Sequence, residues 1–298
     1  QIVISGNHDS AERLSFASRI LRGTGLFLCG DLYHTLAPVI LKDADGEVAF
    51  APLPYAEPGK VREALSADVH THEEAERVLS DFLLRQMGHA ARKVAIAHEF
   101  VAGGSASDSE RPLSIGGTDL ISADVFAPYN YTALGHLHGP QKAGGKENVR
   151  YSGSLLKYSF SEATQKKGVI VGEIDGAGQV KTEFISLSAR HDGRVIKGFF
   201  DDLIKGESED FLMAELLDEG PVIDAMARLR QKYPRMMTIQ SHRRMNSGSG
   251  ERSFDLMKKV DPLDMFRVFY KEFQDKEFTE EEENYMKELW EDLRKEDD

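Results

Sequence analysis

Residues 1–10, QIVISGNHDS, decide how the rest of the chain is read. Ile2, Val3 and Ile4 are a short β-branched run, and the turn signal at Gly6 makes that run a buried strand. Asn7, His8 and Asp9 then stand at the strand's carboxyl end, where open α/β sheets gather ligands and catalytic groups. Ser10 is placed to cap a helix from Ala11 to about Arg22, with Leu14, Ala17, Ile20 and Leu21 on its inner side.

Working outward, residues 37–55, APVILKDADGEVAFAPLPY, carry two alternating apolar runs joined around Asp45-Gly46, a hairpin pattern. Ala75, Val78, Leu79, Phe82 and Leu83 recur at helical spacing and predict a helix from about Glu73 to Met87. KVAIAHEF is a buried strand ending in His98, and YTALGHLHG a strand ending in His136 and His138. VRYSGS, KGVIVGEID and VKTEFISL follow as three further strands. Alternating strands and helices that become strand-rich predict a layered α/β sandwich.

Composition bounds the function without naming it. With 298 residues, 41% of them hydrophobic and 29% charged, the chain can bury a substantial core in one large unit with smaller ones attached. No apolar run approaches the roughly 20 residues that a membrane span needs. The single cysteine, Cys29, excludes an internal disulfide framework, fits a reducing cytoplasm and reads as a buried small side chain. The net charge of -13 argues against nucleic acid until it is located. Residues 275–298 hold twelve Asp or Glu against four Lys or Arg, so most of the acidity is in the tail. Local basic groups elsewhere, Lys142, Lys146 and Arg150 and then Arg228, Arg230, Lys232 and Arg235, allow a DNA-facing surface.

The chemistry gathers at three strand ends: Gly6-Asn7-His8-Asp9, then His98, then Gly135-His136-Leu137-His138. A lone histidine at a strand end is usually a hydrogen-bonded structural residue. Three such ends in one chain are a donor set, because imidazole nitrogen and amide oxygen are suitable neutral ligands for manganese, iron or zinc. His136 and His138, one residue apart, would project from the same side of an extended segment.

In this order GNHD, a strand-terminal His and GHLH resemble the third, fourth and fifth motifs of the calcineurin-like metallophosphoesterases. GNHDSAERLSF, ALGHLHGPQ and YSGSLLKYSFSE are more specifically similar to the SbcD family of bacterial nuclease subunits, which work with the SbcC ATPase. The resemblance implies a metallophosphoesterase β-sandwich flanked by helices and two divalent metal ions, with manganese the expected metal. Asn7, His98 and His136 would bind one metal and His138 the other. His8 would protonate the leaving oxygen or stabilise the charge that develops on phosphorus, and Asp9 would be an outer-sphere partner of the site. The family also begins with a strand ending in Asp-x-His and a Gly-Asp-x-x-Asp strand end, and neither precedes GNHD here. Two strand-helix units of roughly 60 to 80 residues are therefore expected to be missing from the front, leaving residues 1–298 inactive on their own. GDLYH at Gly30 to His34 imitates the second motif out of order and reads as a loop; HTH at His70 to His72 reads as solvated.

Beyond about Arg190, GRVIKGFF, DFLMAELLD, a helix from Val222 to Lys232 opened by Pro221, and RMMTIQ predict a small β-β-α-β unit. By the resemblance residues 1–190 are the nuclease unit, 191–245 a capping unit that holds DNA near the metals, and 246–298 a linker and helices that dock the SbcC coiled coil. Met236 and Met237 read as core filler, and Arg243 and Arg244 lie in a Ser/Gly-rich loop that is either a linker or a phosphate contact. Leu263, Phe266, Phe269, Tyr270 and Phe273 form one terminal apolar stripe; Met286, Leu289, Trp290 and Leu293 form another, with Thr279 and Glu282 a capping box between them.

The function this implies is two-metal hydrolysis of DNA: a double-strand exonuclease and single-strand or hairpin endonuclease, using ATP only through SbcC. The expected assembly has two copies of each subunit and is cytoplasmic, associated with the nucleoid. Two alternatives stand beside it: a phosphoesterase for a small substrate such as a cyclic nucleotide, and a non-catalytic module that keeps the DNA and SbcC contacts.

Overall fold

The computed structural model describes residues 1–107, 110, 120–218, 220–241, 270, 279, 282, 285 and 286. Its first unit is a two-stranded parallel ribbon, β1 (Ile2–Ile4) beside β2 (Phe27–Cys29), joined through helices α1 (Ala11–Leu14) and α2 (Ser18–Arg22). The single helix expected over this stretch is broken, because Ala17 adopts a left-handed conformation (φ 60°). The break turns Phe16 (81% exposed) and Ile20 (77% exposed) outward, so Ile20 is not on an inner face. β1 is only half-buried, and among the described residues it pairs with β2 alone.

The central element is a six-stranded mixed sheet. β3 (Val39–Asp43) and β4 (Gly46–Leu53) form the expected hairpin, closed at Asp43 opposite Gly46, whose φ of 109° suits glycine. Helices α3 (Pro58–Leu65) and α4 (His72–Gln86) carry the chain over to β5 (Arg92–His98), parallel to β4. Thr71 and Glu74 form a reciprocal capping box at the start of α4, and its inward residues Ala75, Leu79 and Leu83 are buried. His72 is buried too, stacked on Tyr55 with ring centroids 5.7 Å apart, which corrects the solvated reading of that residue. A short parallel pair, β6 (Phe100–Val101) and β7 (Leu120–Ile121), precedes β8 (Tyr131–Gly135). β9 (Gln141–Ala143) and β10 (Lys146–Tyr151) complete the sheet in the order β3-β4-β5-β8-β10-β9, parallel in its four central strands. β11 (Gly168–Ile174) and β12 (Val180–Ser186) form a separate antiparallel hairpin. The molecule is thus mixed α/β with a central mixed sheet; among the described residues the strands outside it form two-stranded ribbons and one three-stranded sheet, none of equal size to the central one.

The distal unit differs from expectation in its connections. β13 (Gly193–Gly198), α5 (Phe200–Leu203), β14 (Phe211–Leu216), α6 (Ala225–Arg230) and β15 (Met236–Ser241) make a three-stranded parallel sheet with two crossovers. α5 is four residues long, too short to leave a period in the sequence. α6 starts only after Asp224, which is left-handed (φ 53°), so Pro221 lies ahead of the helix instead of inside its first turn. Phe200, Leu212, Ala214, Leu229 and Met236 close a second core. Met237, the other methionine read as filler, is 58% exposed. Lys157 ties this unit to the segment before it: its ammonium donates to Asp192 Oδ2 (2.8 Å) and Gly193 O (3.1 Å), and also to Ala163 O (2.8 Å).

Cys29 is buried as expected, and burial pushes its thiol pKa up to about 11. The GDLYH stretch is a loop and turn. At the far end, Glu282 and Thr279 make the expected reciprocal contacts, with Thr279 N donating to Glu282 Oε2 (2.9 Å) and Glu282 N to Thr279 Oγ1 (3.3 Å). Arg243, Arg244 and most of the two terminal apolar stripes lie outside the described residues. No helix among the described residues is long and apolar enough to cross a membrane.

Candidate functional site

Three of the strand-end motifs meet at one rim of the central sheet. β5 and β8 are parallel and end together, with His98 paired in register to Gly135, so the next residue, His136, emerges beside His98. The GNHD turn arrives from the β1–β2 ribbon, held by Ser5 N donating to Cys29 O (3.2 Å) and Tyr55 N donating to Ser5 O (3.0 Å). Asp9 shapes the turn: its Oδ2 accepts from Gly6 N (2.8 Å), while its own N–H returns to Gly6 O (3.2 Å). That leaves Asn7 facing inward and His8 exposed on the turn. Asn7 Oδ1 lies 3.0 Å from His98 Nε2.

The glycines on either side of His98 have a steric reason. A methyl group on Gly6 would lie 2.6 Å from His98 Cε1, and one on Gly135 would lie 2.9 Å from His98 Nδ1. The imidazole is therefore clasped between two stretches of bare backbone. Gly6 thus serves close approach, beyond the turn signal read from the sequence. His136 meets His98 edge to face at 5.4 Å, with Phe100 at 5.8 Å from His136. His136 has φ 105°, a backbone state that side chains other than glycine rarely adopt and that costs on the order of 1–3 kcal/mol. The extended geometry assumed for the His136/His138 pair is broken at this point, and strand alternation does not set their directions. Burial holds the His98 pKa down at about 4, with the nearby His136 adding to the effect and Asp9 opposing it. His98 is therefore a neutral imidazole at physiological pH, the state that binds metals.

His138 stands in a different setting. Its Nδ1 is 3.0 Å from Oε1 of Glu162, which is 0% exposed, and its ring lies 5.4 Å from that of Tyr158. The backbone is pinned as well: His138 N donates to Glu110 Oε1 (2.6 Å), and His138 O accepts from Lys167 Nζ (2.8 Å). Gly153 (φ 78°) leaves room for this carbonyl, since a methyl there would be 2.6 Å away. Sequence reading singled out none of Glu162, Lys167, Glu110 and Gly153. Full burial of a carboxylate is rare unless it is paired, and Lys167 follows Glu162 at a spacing that no helix or strand period marks.

The donor chemistry fits a divalent metal in part. Two donors bound cis at about 2.1 Å sit about 3 Å apart, which is the Asn7–His98 spacing. A metal-binding imidazole usually donates its other ring nitrogen to a carboxylate, which is how His138 stands to Glu162. Among the described residues no three His, Cys, Asp or Glu side chains form a metal-holding group by themselves, so the fit depends on the Asn7 amide. The 155–167 segment and the edge of the distal unit border an open cleft of about 770 Å³, lined in part by Leu155, Tyr158, Lys166, His191, Phe211 and Met237.

The basic groups noted in the sequence are largely engaged within the chain. Lys142 pairs with Glu147 and Arg235 with Glu209. Lys146 meets Asp124 at 2.7 Å, Arg150 donates to Thr182 Oγ1 (2.7 Å), Arg230 donates to Met236 O (3.2 Å), and Arg228 lies over Phe200.

Comparison with known families bears on the distal unit. Residues 190–273 match the SbcD_C family model, described as the type 5 capsule protein repressor C-terminal domain. The match begins just before β13, spans the three parallel strands and runs on to residue 273. It supports an SbcD-related protein.

Proposed function

We propose that this chain is an SbcD-type, metal-dependent phosphodiesterase acting on DNA in partnership with an SbcC-type ATPase. The observation that carries the reading is the convergence of Asn7, His98 and His136, from three separate segments, on one rim of a sheet whose chain continues into an SbcD_C-matching unit. Asn7, His98 and His136 would hold one divalent ion and His138 a second, with manganese the expected metal. When bound, such ions supply Lewis acidity that neutralises developing charge and activates water.

The chain's own residues have distinct tasks in this reading. His8, exposed on the turn and tied to no donor role, is the group that hands a proton to the departing oxygen, a task suited to an imidazole near neutral pH. Asp9 keeps the turn in the shape that presents Asn7 and His8. The neutral donors Asn7, His98 and His136 leave the rim without added negative charge, which favours an anionic substrate. Residues 1–190 form the hydrolytic unit, 191–245 a unit that holds DNA over the rim, and 246–298 the segment that binds the ATPase, two copies of each subunit assembling together. ATP is used only by the partner.

The test uses the full-length protein. Manganese-dependent cleavage of linear and hairpin DNA is expected, lost in His8→Ala while bound manganese, measured by elemental analysis and electron paramagnetic resonance, stays near the wild-type level. His98→Ala and Asn7→Ala should lose both. Loss of manganese from His8→Ala would move that residue into the ligand set. A wild-type protein that binds manganese but leaves DNA intact would overturn the nuclease reading.

A further inference from the structure

Glu162 and Lys167 form a buried ion pair at 2.5 Å, with side chains 0% and 6% exposed, directly behind His138. Lys167 is held on four sides. Its ammonium also lies 2.8 Å from each of His138 O, Ser154 Oγ and Gln165 Oε1, so its three hydrogens are shared among four acceptors. A carboxylate that accepts from an ammonium is ionised, and an ionised carboxylate can only accept hydrogen bonds. The 3.0 Å contact from Glu162 Oε1 to His138 Nδ1 therefore requires the hydrogen to be on Nδ1. That leaves Nε2 with its lone pair. The Tyr158 ring packs beside the imidazole, tilted by 54° with centroids 5.4 Å apart.

We infer that Glu162, locked by Lys167, is a positioning residue that fixes His138 in its Nδ1–H tautomer and aims the Nε2 lone pair at the metal-binding rim. This rests on the reading of His138 as a metal donor, but the tautomer itself does not. The arrangement explains why a carboxylate is tolerated at full burial here. Its charge is matched by Lys167, and its second oxygen is occupied by the ring it orients. It also explains the order of the stretch between Ser154 and Lys167, whose regular structure is a single short 3-10 turn, Phe160–Glu162. The turn sets Glu162 against the imidazole, and Lys167 closes the loop back on the His138 carbonyl.

The experiment is nitrogen-15 spectroscopy of histidine-labelled, metal-free protein, combined with manganese titration, on the wild type, Glu162→Gln and His138→Ala. The wild type should show His138 as the Nδ1–H tautomer. Glu162→Gln conserves shape but can turn its amide to offer either an oxygen or an N–H, so it should give a tautomer mixture. Its manganese affinity should fall about 10- to 100-fold with the tautomer of His98 unchanged, while the thermal midpoint drops because Lys167 is left buried without its counter-charge. A folded Glu162→Gln protein with the wild-type His138 tautomer and affinity would overturn the inference, as would an Nε2–H tautomer in the wild type. If His138→Ala leaves manganese affinity unchanged, the donor reading fails, while the wild-type tautomer still decides whether Glu162 sets the ring. Should Glu162→Gln not fold, Lys167→Met, which removes the group that keeps Glu162 ionised, carries the same tautomer test.

Discussion

β5 is polar at both ends, and the two ends handle burial in opposite ways. At its amino end Arg92, whose side chain is 1% exposed, forms two bonds to the Asp43 carboxylate (2.8 and 2.5 Å) and a third to Gly46 O (2.9 Å). Its neighbour Lys93 donates its N–H to Asn130 Oδ1, and Asn130 in turn donates to Gly178 O. This end is closed by hydrogen bonds between strand, hairpin and turn. At the carboxyl end His98 is squeezed between two glycines, faces a histidine in a strained backbone state and keeps its ring neutral. The first end is built to hold strands together. The second brings uncharged donor atoms together under backbone strain, the pattern expected of a functional site.

The comparison can be broken by substitution. Arg92→Ala should give the largest loss of stability, lowering the thermal midpoint by about 5–10 °C, with manganese binding within twofold of wild type. A change of affinity as large as that of His98→Ala would mean that the two ends are not separable. Gly6→Ala should invert the pattern, because the added methyl must displace the His98 ring. We expect a midpoint only about 4 °C lower and manganese affinity reduced at least tenfold, read by titration calorimetry; unchanged affinity would show that the clasp is not needed.

A third buried ionisable group, away from both ends, shows what the fold does with a carboxylate that has an unmatched oxygen. Glu76 on α4 is 2% exposed, its Oε1 lacks a hydrogen-bond partner, and burial raises its pKa to about 8. The folded state then binds a proton that the unfolded chain releases above about pH 4.5, so stability should fall as pH rises between 4.5 and 8. Between pH 5.5 and 7 the drop should be at most about 2 kcal/mol, measured by urea unfolding, and Glu76→Gln should flatten it. A slope that survives the substitution would assign the titration elsewhere. The smallest effect belongs to the exposed Lys142–Glu147 pair: Lys142→Ala should leave the midpoint within about 1 °C, and a larger shift would give that surface a structural weight comparable to the buried ends.

Much of this fold is legible in local pattern, and the exceptions have physical causes. The β3–β4 hairpin follows from Asp45-Gly46 between alternating apolar runs, and α4 from its capping box and inward stripe. The break at Ala17, the four-residue α5 and the late start of α6 depend on single left-handed residues or on elements too short to carry a period. In the site, Asn7, His98 and His136 announce themselves as polar residues at the ends of apolar strands. Glu162 and Lys167 do not, because the stretch YSFSEATQKK gives no sign that two of its charges are inside. His72 misleads in the same way, since it is buried and packs on Tyr55 while His70, two residues earlier, is exposed.

The Lys157 ammonium has one further consequence. It grips Asp192 and Gly193 at the root of the distal unit and Ala163 in the segment that carries Glu162 against His138. Tilting the distal unit must either break those bonds or drag the Glu162 turn with it. The orientation of the unit and the set of the His138 ring are then linked degrees of freedom, and linkage runs both ways. If, as proposed, the unit holds nucleic acid and the rim an ion, whatever the strand does to the affinity of the rim for the ion, the ion would do by the same factor to the affinity of the unit for the strand.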